Sequence, residues 1–344
     1  MAAGLMAAGA PSASARVQAS IIVDAQTGKI LEARNADRLC YPASLTKLMT
    51  LYITFQQLST GKMTLGQELP VSFHAAAQAP TKLYLRPGER ISVRSAILAI
   101  TTRSANDAAV VLAEGVAGTE LEFAHLMNQR AHQLGMDHTT FRNASGLPNR
   151  RQKTTARDMS KLALAILHGF PQYYPYFKAR SFDFRGQTIE GHDRLLEQCP
   201  GVDGMKTGYI AASGFNIVTS AVRHDRRLLG VVMGGKTARS RDRLMVALLN
   251  RGFARIQART VTASIQSKAG TNAAAADYAK APSENAEDGV VPRPTMEWIV
   301  QIGHNFRSRG QVRSALRSAL HTAPEQLKGA KPLVVRLRPG RYLA

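Results

Sequence analysis

The sequence predicts an α+β fold in which helices pack on an antiparallel sheet. Three observations support this class. A hairpin pattern stands near the N-terminus, helical patterns occupy the middle of the chain, and short β-like runs return from residue 180 onward, followed by a long helical pattern. The order is therefore strands, helices, strands and a final helix, which is typical of a sandwich of helices on a sheet.

The N-terminal pattern is a β-hairpin followed by a helix. Two apolar runs, 21–23 and 30–31, flank the turn residues 26–28, as expected of two short strands joined by a turn. Pro42 then precedes a helical pattern over residues 43–58, because apolar residues recur there with helical spacing. We expect the hairpin to lie in the sheet and the helix to pack on it.

The later elements follow from the same periodicities. Helical patterns predict helices, and short runs of β-forming residues predict strands. The predicted helices are 91–115, 119–134, 157–168 and 238–257, and the predicted strands include 215–222 and 227–233.

Composition limits the classes of protein that the chain can belong to. With 344 residues and 44% hydrophobic residues, it can bury a sizeable core in about two domains. A net charge of +21 favours attraction to polyanions such as cell-wall polymers. No basic block is interleaved with aromatic residues, which argues against nucleic acid as a partner. Cys40 and Cys199 form no CxxC or zinc spacing, so we expect free thiols, no metal and no cofactor.

The first fifteen residues are small and apolar and end in Ala13-Ser14-Ala15, a pattern that signal peptidase cuts. We interpret residues 1–15 as the remnant of a secretory signal that lacks its basic front end. The alternative is a disordered, alanine-rich N-terminus. No run approaches the roughly 18 apolar residues of a membrane-spanning helix.

The C-terminal part changes in composition. Residues 264–294 are rich in Ala, Ser, Asn, Asp and Pro, which predicts a flexible linker. Residues 295–344 carry nine Lys or Arg against two Asp or Glu. A strand at 297–302, a helix at about 308–320 and a strand at 332–337 would make this basic segment a small βαβ-like unit.

Three short motifs carry the chemistry. They occur in the order Ser44-Leu45-Thr46-Lys47, Ser104-Ala105-Asn106 and Lys206-Thr207-Gly208. Each motif is weak alone, because such strings arise by chance on surface helices, helix starts and strand ends. Together and in this order they match the S-x-x-K, S-x-N and K-T-G set of penicillin-binding proteins and class A β-lactamases.

The first motif predicts a nucleophile and its base. Ser44 and Lys47 lie on one face of a helix at i, i+3 spacing. A serine hydroxyl needs a base within hydrogen-bond reach, and lysine is a base only when burial or a neighbouring cation lowers its pKa. Lys206 in the same site would supply that repulsion. The backbone N–H of Ser44, in the first turn, can hold an oxyanion.

The other two motifs predict proton transfer and substrate binding. Ser104 can relay a proton between Lys47 and the leaving nitrogen, and Asn106 can hold the lysine amine and a substrate amide. Lys206 and Thr207 can bind a substrate carboxylate, and the glycines around them, including Gly208, let the backbone approach a ligand. The N–H of Tyr209 would be the second oxyanion donor.

At this point the chain resembles a known family. Five blocks, "YPASLTKLMTLYI", "ITTRSANDAAVVLAE", "MDHTTFRNASGLPN", "TTARDMSKLA" and "PGVDGMKTGYIAASGFNIVTSA", are similar to those of the low-molecular-mass penicillin-binding proteins that act as D-alanyl-D-alanine carboxypeptidases. The resemblance covers residues 17–257 and implies the β-lactamase/transpeptidase-like fold. It implies that Ser44 is acylated, that Lys47 is its base, that Ser104 and Asn106 form the second motif, and that Lys206 recognises the terminal carboxylate.

The resemblance also implies a substrate, inhibitors and a location. The enzyme would remove the terminal D-alanine from peptidoglycan stem pentapeptides through an acyl-enzyme in the periplasm, and β-lactams would acylate Ser44. Residues 295–344 are similar to the start of a SPOR domain, a peptidoglycan-binding module that would bind glycan strands and that here would be partial.

Three alternatives remain. A D,D-endopeptidase would use the same residues. A class A β-lactamase would need a glutamate that activates the deacylating water, usually in an E-x-x-L-N string. Residues 120–200 contain no such string. A non-catalytic cell-wall binder would need a degenerate site, whereas all three motifs are intact.

Overall fold

The computed structural model describes residues 18–277, 335–338 and 341–343. Its centre is a five-stranded sheet in which all neighbouring strands are antiparallel, with the order β2-β1-β9-β8-β7. The first two strands of the chain therefore pair with the last strand of the unit, and β7 forms one edge. These strands are β1 (Ala19–Asp24), β2 (Ile30–Arg34), β7 (Val202–Ile210), β8 (Gly214–Arg223) and β9 (Arg226–Gly235).

Helices and small strand pairs complete the unit. A 3₁₀ turn at Ala43–Thr46 leads directly into the first helix, and a second 3₁₀ turn covers Tyr174–Lys178. The helices are α1 (Lys47–Ser59), α2 (Phe73–Ala76), α3 (Val93–Thr101), α4 (Asn106–Ala117), α5 (Glu120–Gln133), α6 (Ala156–Gly169), α7 (Leu195–Gln198) and α8 (Ala238–Asp277). The short pairs are β3 (Glu68–Pro70) with β4 (Arg90–Ser92), and β5 (Ser181–Phe184) with β6 (Gln187–Glu190).

The sheet is buried on both faces. In β1, Ile21 and Val23 belong to the larger hydrophobic core, which contains the helices α1, α3, α4 and α6. Ile22 points to the other face and joins a smaller core under α8, where it meets Leu248 and Leu249. Alternate residues of a strand face opposite sides of a sheet, so apolar residues at successive positions require cover on both sides. The predicted α+β sandwich is confirmed.

Most predicted elements are present, but the single helix predicted over 91–115 is wrong. Residues 90–92 form β4, and the chain leaves the helical conformation between Thr101 and Asn106. Ser92 caps α3 by accepting the N–H of Ser95, and Ser104 adopts a positive φ of 61°, which no α-helix accommodates. Periodicity alone did not reveal this break, because the apolar spacing is similar on both sides of it.

The final helix is longer than predicted. The sequence predicted a helix over 238–257 and a flexible linker over 264–294, whereas α8 continues to Asp277. Residues 264–277 are therefore helical, which corrects that part of the linker prediction. The segment is rich in alanine, the residue with the highest helix propensity, so local preference favours the continuation. Residues 278–294 lie outside the described residues.

The C-terminal strands are described by themselves, because the chain divides into a unit ending at Ala275 and a unit beginning at Ala276. In the second unit, β10 (Val335–Arg338) pairs with β11 (Arg341–Leu343) in antiparallel orientation. The strand predicted at 332–337 overlaps β10, and β11 was not predicted. The predicted strand 297–302, the helix 308–320 and the signal segment 1–15 lie outside the described residues.

Two smaller expectations concern the thiols and the membrane. Cys40 and Cys199 are both free, as predicted. Within residues 18–277 and the two C-terminal strands, no helix combines the length and apolar character needed to cross a bilayer.

Candidate active site

The three motifs meet at one cleft of about 380 Å³ in the first unit. Ser44, Ser104, Asn106, Thr207, Gly208 and Tyr209 line it, together with Pro80, Thr81, Gly146, Leu147, His192, Ile210, Phe215, Ala238 and Arg241. Lys47 and Lys206 are not among the lining residues, and both side chains are buried. All eight sequence-predicted site residues are thus brought to one place, although they lie on three separate segments of the chain.

Ser44 lies in the 3₁₀ turn at the start of α1, against the edge of the sheet. The preceding residue, Ala43, has a φ of 50°, a conformation that L-residues rarely adopt and that marks local strain. Asn216 of β8 fixes this turn, since its Nδ2 donates to the carbonyls of Tyr41 (3.0 Å) and Pro42 (3.2 Å). A Cβ added to Gly208 would lie 3.0 Å from the Ser44 amide nitrogen, so only glycine lets β7 approach so closely.

Lys47 is fully buried, and three acceptors surround its amine. Its Nζ lies 3.2 Å from Ser44 Oγ, 2.6 Å from Asn106 Oδ1 and 2.6 Å from the carbonyl oxygen of Ser145. Burial, followed by the positive charge of Lys206, holds the pKa of Lys47 well below its ordinary value, against the opposing attraction of Asp107. Both causes favour the neutral amine, which is the form that can accept a proton from Ser44.

The second motif begins α4 and is only partly arranged as predicted. Asn106 holds the Lys47 amine through Oδ1, but its Nδ2 donates to the Ala79 carbonyl at 2.7 Å, so one of its two amide protons is already used. Ser104 Oγ is buried and has no hydrogen-bond partner among the described residues, and it makes no bond to Lys47. A buried hydroxyl without a partner is costly, and a substrate group in the cleft would satisfy it.

A loop that the motifs do not include completes the lysine site. Ser145 supplies the carbonyl that accepts from Lys47, and Thr50 of α1 donates to the neighbouring Ala144 carbonyl at 2.7 Å. Gly146 has a φ of 87°, and a Cβ there would lie 1.9 Å from the Ala43 carbonyl oxygen. The loop and the 3₁₀ turn are therefore in direct backbone contact. In the sequence, the string "NASGLPN" pointed to this loop only as part of a block that resembles the family.

The contact at Gly146 yields a testable prediction. Gly146→Ala should lower the free energy of unfolding by about 3 kcal/mol or more, since it adds the cost of a left-handed alanine to an overlap with immovable backbone. Acylation should also slow, because Ser44 and Ser145 would move apart. Gly61→Ala is the matched control: it has a φ of 70° but open space around it, so about 1–2 kcal/mol is expected. Urea denaturation measures both, and equal losses would contradict the contact argument.

The third motif lies on the edge strand β7. Lys206 is buried, and its Nζ donates to the carbonyl of Thr207 at 2.9 Å. Burial, aided by the Arg241 charge and opposed by Asp193, lowers the pKa of Lys206 to about 8. The Lys206 amine is therefore mainly charged at neutral pH. The Tyr209 ring lies 4.3 Å from that of Phe215 at the side of the cleft.

Sequence reasoning missed three cleft or support residues. Arg241 of α8 lines the cleft, with its Nε donating to Asp242 at 2.8 Å and its Nη1 donating to the Asn216 carbonyl at 2.9 Å. His192 also lines the cleft, where burial and then the charges of Lys206 and Arg103 lower its pKa. Asn216 was visible in the sequence as a polar residue within the apolar string "GFNIVTSA", whereas Arg241 and His192 gave no local signal.

Among the residues that line the cleft in the described part of the chain, none is Asp or Glu. A water molecule in this cleft therefore has no carboxylate base beside it. The group suited to accept its proton is the Lys47 amine, whose pKa is lowered. The unpartnered Ser104 hydroxyl can relay a proton but cannot serve as the base. This agrees with the absence of an E-x-x-L-N string and argues against a class A β-lactamase.

Comparison with known proteins agrees with this geometry. A family model described as D-alanyl-D-alanine carboxypeptidase matches residues 6–237. The carboxypeptidase DacC of Escherichia coli is 39% identical over 251 residues, which cover 71% of this chain and 62% of that relative. The match thus spans about three fifths of the relative's length.

Solved structures show the same fold. Penicillin-binding protein 5 of Haemophilus influenzae has a TM-score of 0.67 and 33% identity, covering 72% of this chain and 73% of that one. Penicillin-binding protein D2 of Listeria monocytogenes, solved in its cefotaxime-bound form, has a TM-score of 0.61 and 28% identity, covering 71% of this chain and all of that one.

Proposed function

Because the chain belongs to the D-alanyl-D-alanine carboxypeptidase family, we propose that it is a serine-type carboxypeptidase that removes the terminal D-alanine from peptidoglycan stem pentapeptides. The observation that carries the proposal is the Lys47 amine, which is fully buried, depressed in pKa and 3.2 Å from Ser44 Oγ. A serine beside a neutral lysine is a nucleophile beside its base. The endopeptidase alternative uses the same groups on a cross-linked substrate.

Acylation uses the first two motifs. Ser44 Oγ attacks the carbonyl carbon of the penultimate D-alanine, and its proton passes to Lys47 Nζ. The N–H groups of Ser44 and Tyr209 hold the oxyanion, a role that the close approach of β7 to the Ser44 amide supports. The C–N bond then breaks, the leaving amine takes the proton from Lys47 through Ser104, and D-alanine departs. The remaining peptide is an ester on Ser44.

Deacylation returns the enzyme to its starting state. Water attacks the ester carbon and gives its proton to the neutral Lys47, which then protonates Ser44 Oγ as the C–O bond breaks. Since no carboxylate lines the cleft within the described residues, Lys47 serves as base in both steps. A β-lactam would acylate Ser44 in the same way.

The third motif binds the terminal carboxylate of the substrate. Lys206 of β7 supplies a buried positive charge next to the cleft, and Thr207 supplies a hydroxyl at the cleft surface. Arg241 adds a second buried cation, a guanidinium, at the cleft. Charge-assisted hydrogen bonds of this kind are the strong ones, so a substrate with a free terminal carboxylate should be preferred over its amide.

The charge of Lys206 predicts the shape of the pH profile. Activity requires Lys47 neutral and Lys206 charged, so kcat/KM should rise with pH as Lys47 loses its proton and fall through about pH 8 as Lys206 does. Lys206→Gln should remove the alkaline limb and move the acid limb to higher pH, because the repulsion on Lys47 is gone. It should also lower kcat/KM by about 10- to 100-fold at neutral pH.

The measurement is kcat/KM on a diacyl-D-Ala-D-Ala peptide between pH 5 and 10, with Lys236→Gln as the control. Lys236 is an exposed lysine two residues before α8, so its removal changes the net charge equally. An alkaline limb at the same pH in Lys206→Gln would show that another group causes it.

The proposal also covers location and the C-terminal unit. The substrate is an extracytoplasmic polymer, so we place the protein in the periplasm. We further propose that residues 295–344 bind peptidoglycan glycan strands as a partial SPOR-like unit, joined through the segment after α8; the basic composition and the hairpin of β10 and β11 support this. Sacculus pull-down with and without 295–344 tests it, and an unchanged bound fraction would refute it.

The function itself is tested by product analysis. D-Alanine release from the diacyl-D-Ala-D-Ala peptide should exceed cleavage of a purified cross-linked muropeptide dimer, measured by chromatography at equal substrate concentration. Equal or faster cleavage of the dimer would replace the carboxypeptidase assignment by the endopeptidase. Cleavage of neither substrate would refute the proposed function.

A further inference from the structure

A strongly cationic loop stands beside the cleft and has no role in the proposed chemistry. Between Asp137 and Asp158 the chain carries five cations and no acidic residue. Arg157 pairs with Asp37. Arg142, Arg150 and Arg151 are exposed, and none of the three forms an ion pair with another described residue. We call these three residues the arginine crown.

Hydrogen bonds within the loop fix the positions of the crown. The buried Gln152 accepts the N–H of Arg142 at 2.8 Å through Oε1, and Asn149 Oδ1 accepts the N–H of Arg151 at 2.9 Å. Asn143 Oδ1 accepts the N–H of Gly146 at 2.7 Å. Side chains that replace water as partners of loop backbone hold it in one conformation. The backbone that carries the three arginines is therefore held in one conformation.

The loop that carries the crown also forms part of the wall of the cleft. Gly146 and Leu147 line the cleft, and the Leu147 carbonyl accepts hydrogen bonds from Asn143 Nδ2 (3.1 Å) and Gln152 Nε2 (3.4 Å). Arg142 and Arg151 are the chain neighbours of these two supporting residues. The backbone that holds the cleft wall in place is thus the backbone that carries the cations.

We infer that the arginine crown is a docking surface for the carboxylate-bearing peptidoglycan polymer, next to the stem peptide that enters the cleft. This rests on the proposed function. Each stem peptide carries free carboxylates, and uncross-linked strands present several stems in succession, so the neighbours of the reacting stem supply negative charge beside the cleft. Fixed cations at the mouth of a site raise the association rate of an anionic partner by about 10-fold or more at low ionic strength. The association rate of a small peptide that occupies only the cleft would depend little on these cations.

The test compares a polymer with a small peptide. The triple variant Arg142→Gln, Arg150→Gln, Arg151→Gln should lower kcat/KM on soluble uncross-linked pentapeptide strands about 10-fold at 20 mM salt. On the diacyl-D-Ala-D-Ala peptide it should stay within twofold of wild type. At 500 mM salt, where charges are screened beyond roughly 4 Å, wild type and variant should act equally on the strands.

A triple variant with the same change in charge is the control. Lys29, Arg34 and Lys62 are exposed; the first two lie at or next to β2, at the opposite sheet edge from β7, and Lys62 follows the far end of α1. An equal loss in Lys29→Gln, Arg34→Gln, Lys62→Gln would show that only net charge matters and would overturn the inference. So would an unchanged rate of the crown variant on strands, or an equal loss on the small peptide.

A second readout separates polymer from lipid. Full-length Ser44→Ala with and without the crown substitutions should differ in co-sedimentation with sacculi at 20 mM salt, but not with vesicles of phosphatidylglycerol. A loss confined to the vesicles would assign the crown to a membrane surface and overturn the inference. Failure of wild type to release D-alanine from the small peptide would instead refute the proposed function.

Discussion

Replacement of Ser44 by alanine is expected to abolish covalent labelling by a fluorescent penicillin and to reduce D-alanine release by at least about 10⁴-fold. The reason is that no other group can form the acyl-enzyme: the Lys47 amine is buried behind Ser44 Oγ, and Ser104 makes no bond to a base. Loss of a nucleophile commonly costs this much or more, and what remains is due to oxyanion stabilisation and binding. Intact-mass measurement after incubation with the penicillin gives the labelled fraction directly.

Ser59→Ala is the matched control for this experiment, because Ser59 is an exposed serine at the other end of α1. The Ser59→Ala variant should be labelled by the penicillin to the same extent as wild type. If Ser44→Ala were labelled to the same extent as wild type, the nucleophile would be elsewhere. If wild type took no label at all, the penicillin-binding proposal would fail before the residue assignment was reached.

Replacement of Lys47 is expected to have the second-largest effect. Lys47→Arg should lower the acylation rate on the order of 10³-fold or more, because a guanidinium stays charged at every accessible pH and cannot accept the Ser44 proton. Lys47→Met should give a similar loss by removing the base. Lys47→Met also leaves Asn106 Oδ1 and the Ser145 carbonyl without this donor. The loss of stability is roughly 1–3 kcal/mol per buried acceptor, and it is partly offset because a buried amine is removed.

Stopped-flow acylation by the fluorescent penicillin measures the rate, and thermal unfolding monitored by circular dichroism shows whether each variant folds. Lys161→Met serves as the control: Lys161 is half-buried and, like Lys47, donates to a backbone carbonyl, that of Gly135. It also pairs with Asp158, and it does not line the cleft. A folded Lys47→Met that acylates within tenfold of wild type would show that Lys47 is not the base.

The sequence predicted much of the fold, since local patterns specify local elements. The hairpin of β1 and β2, the helices α5 and α6, and the strands β8 and β9 all came from periodicity and turn residues. The break at Thr102–Ala105 did not, because its cause is non-local. Asn106 and Asp107 hold the segment after Ala79 through the Ala79 carbonyl and the N–H groups of Leu83 and Leu85, and those contacts join residues more than twenty positions apart.

The same division applies to the site. The sequence by itself determined the three motifs, and with them the nucleophile and the residue types able to serve as its base and as the carboxylate partner. The tertiary structure alone decided that the pKa of Lys47 lies well below its ordinary value and that the pKa of Lys206 is about 8, because a lysine pKa depends on burial and on charges that distant segments bring near. It also decided the support from Asn216, Ser145 and Arg241. A short motif fixes which atoms are available, whereas their protonation and alignment depend on a surrounding that only the folded chain assembles.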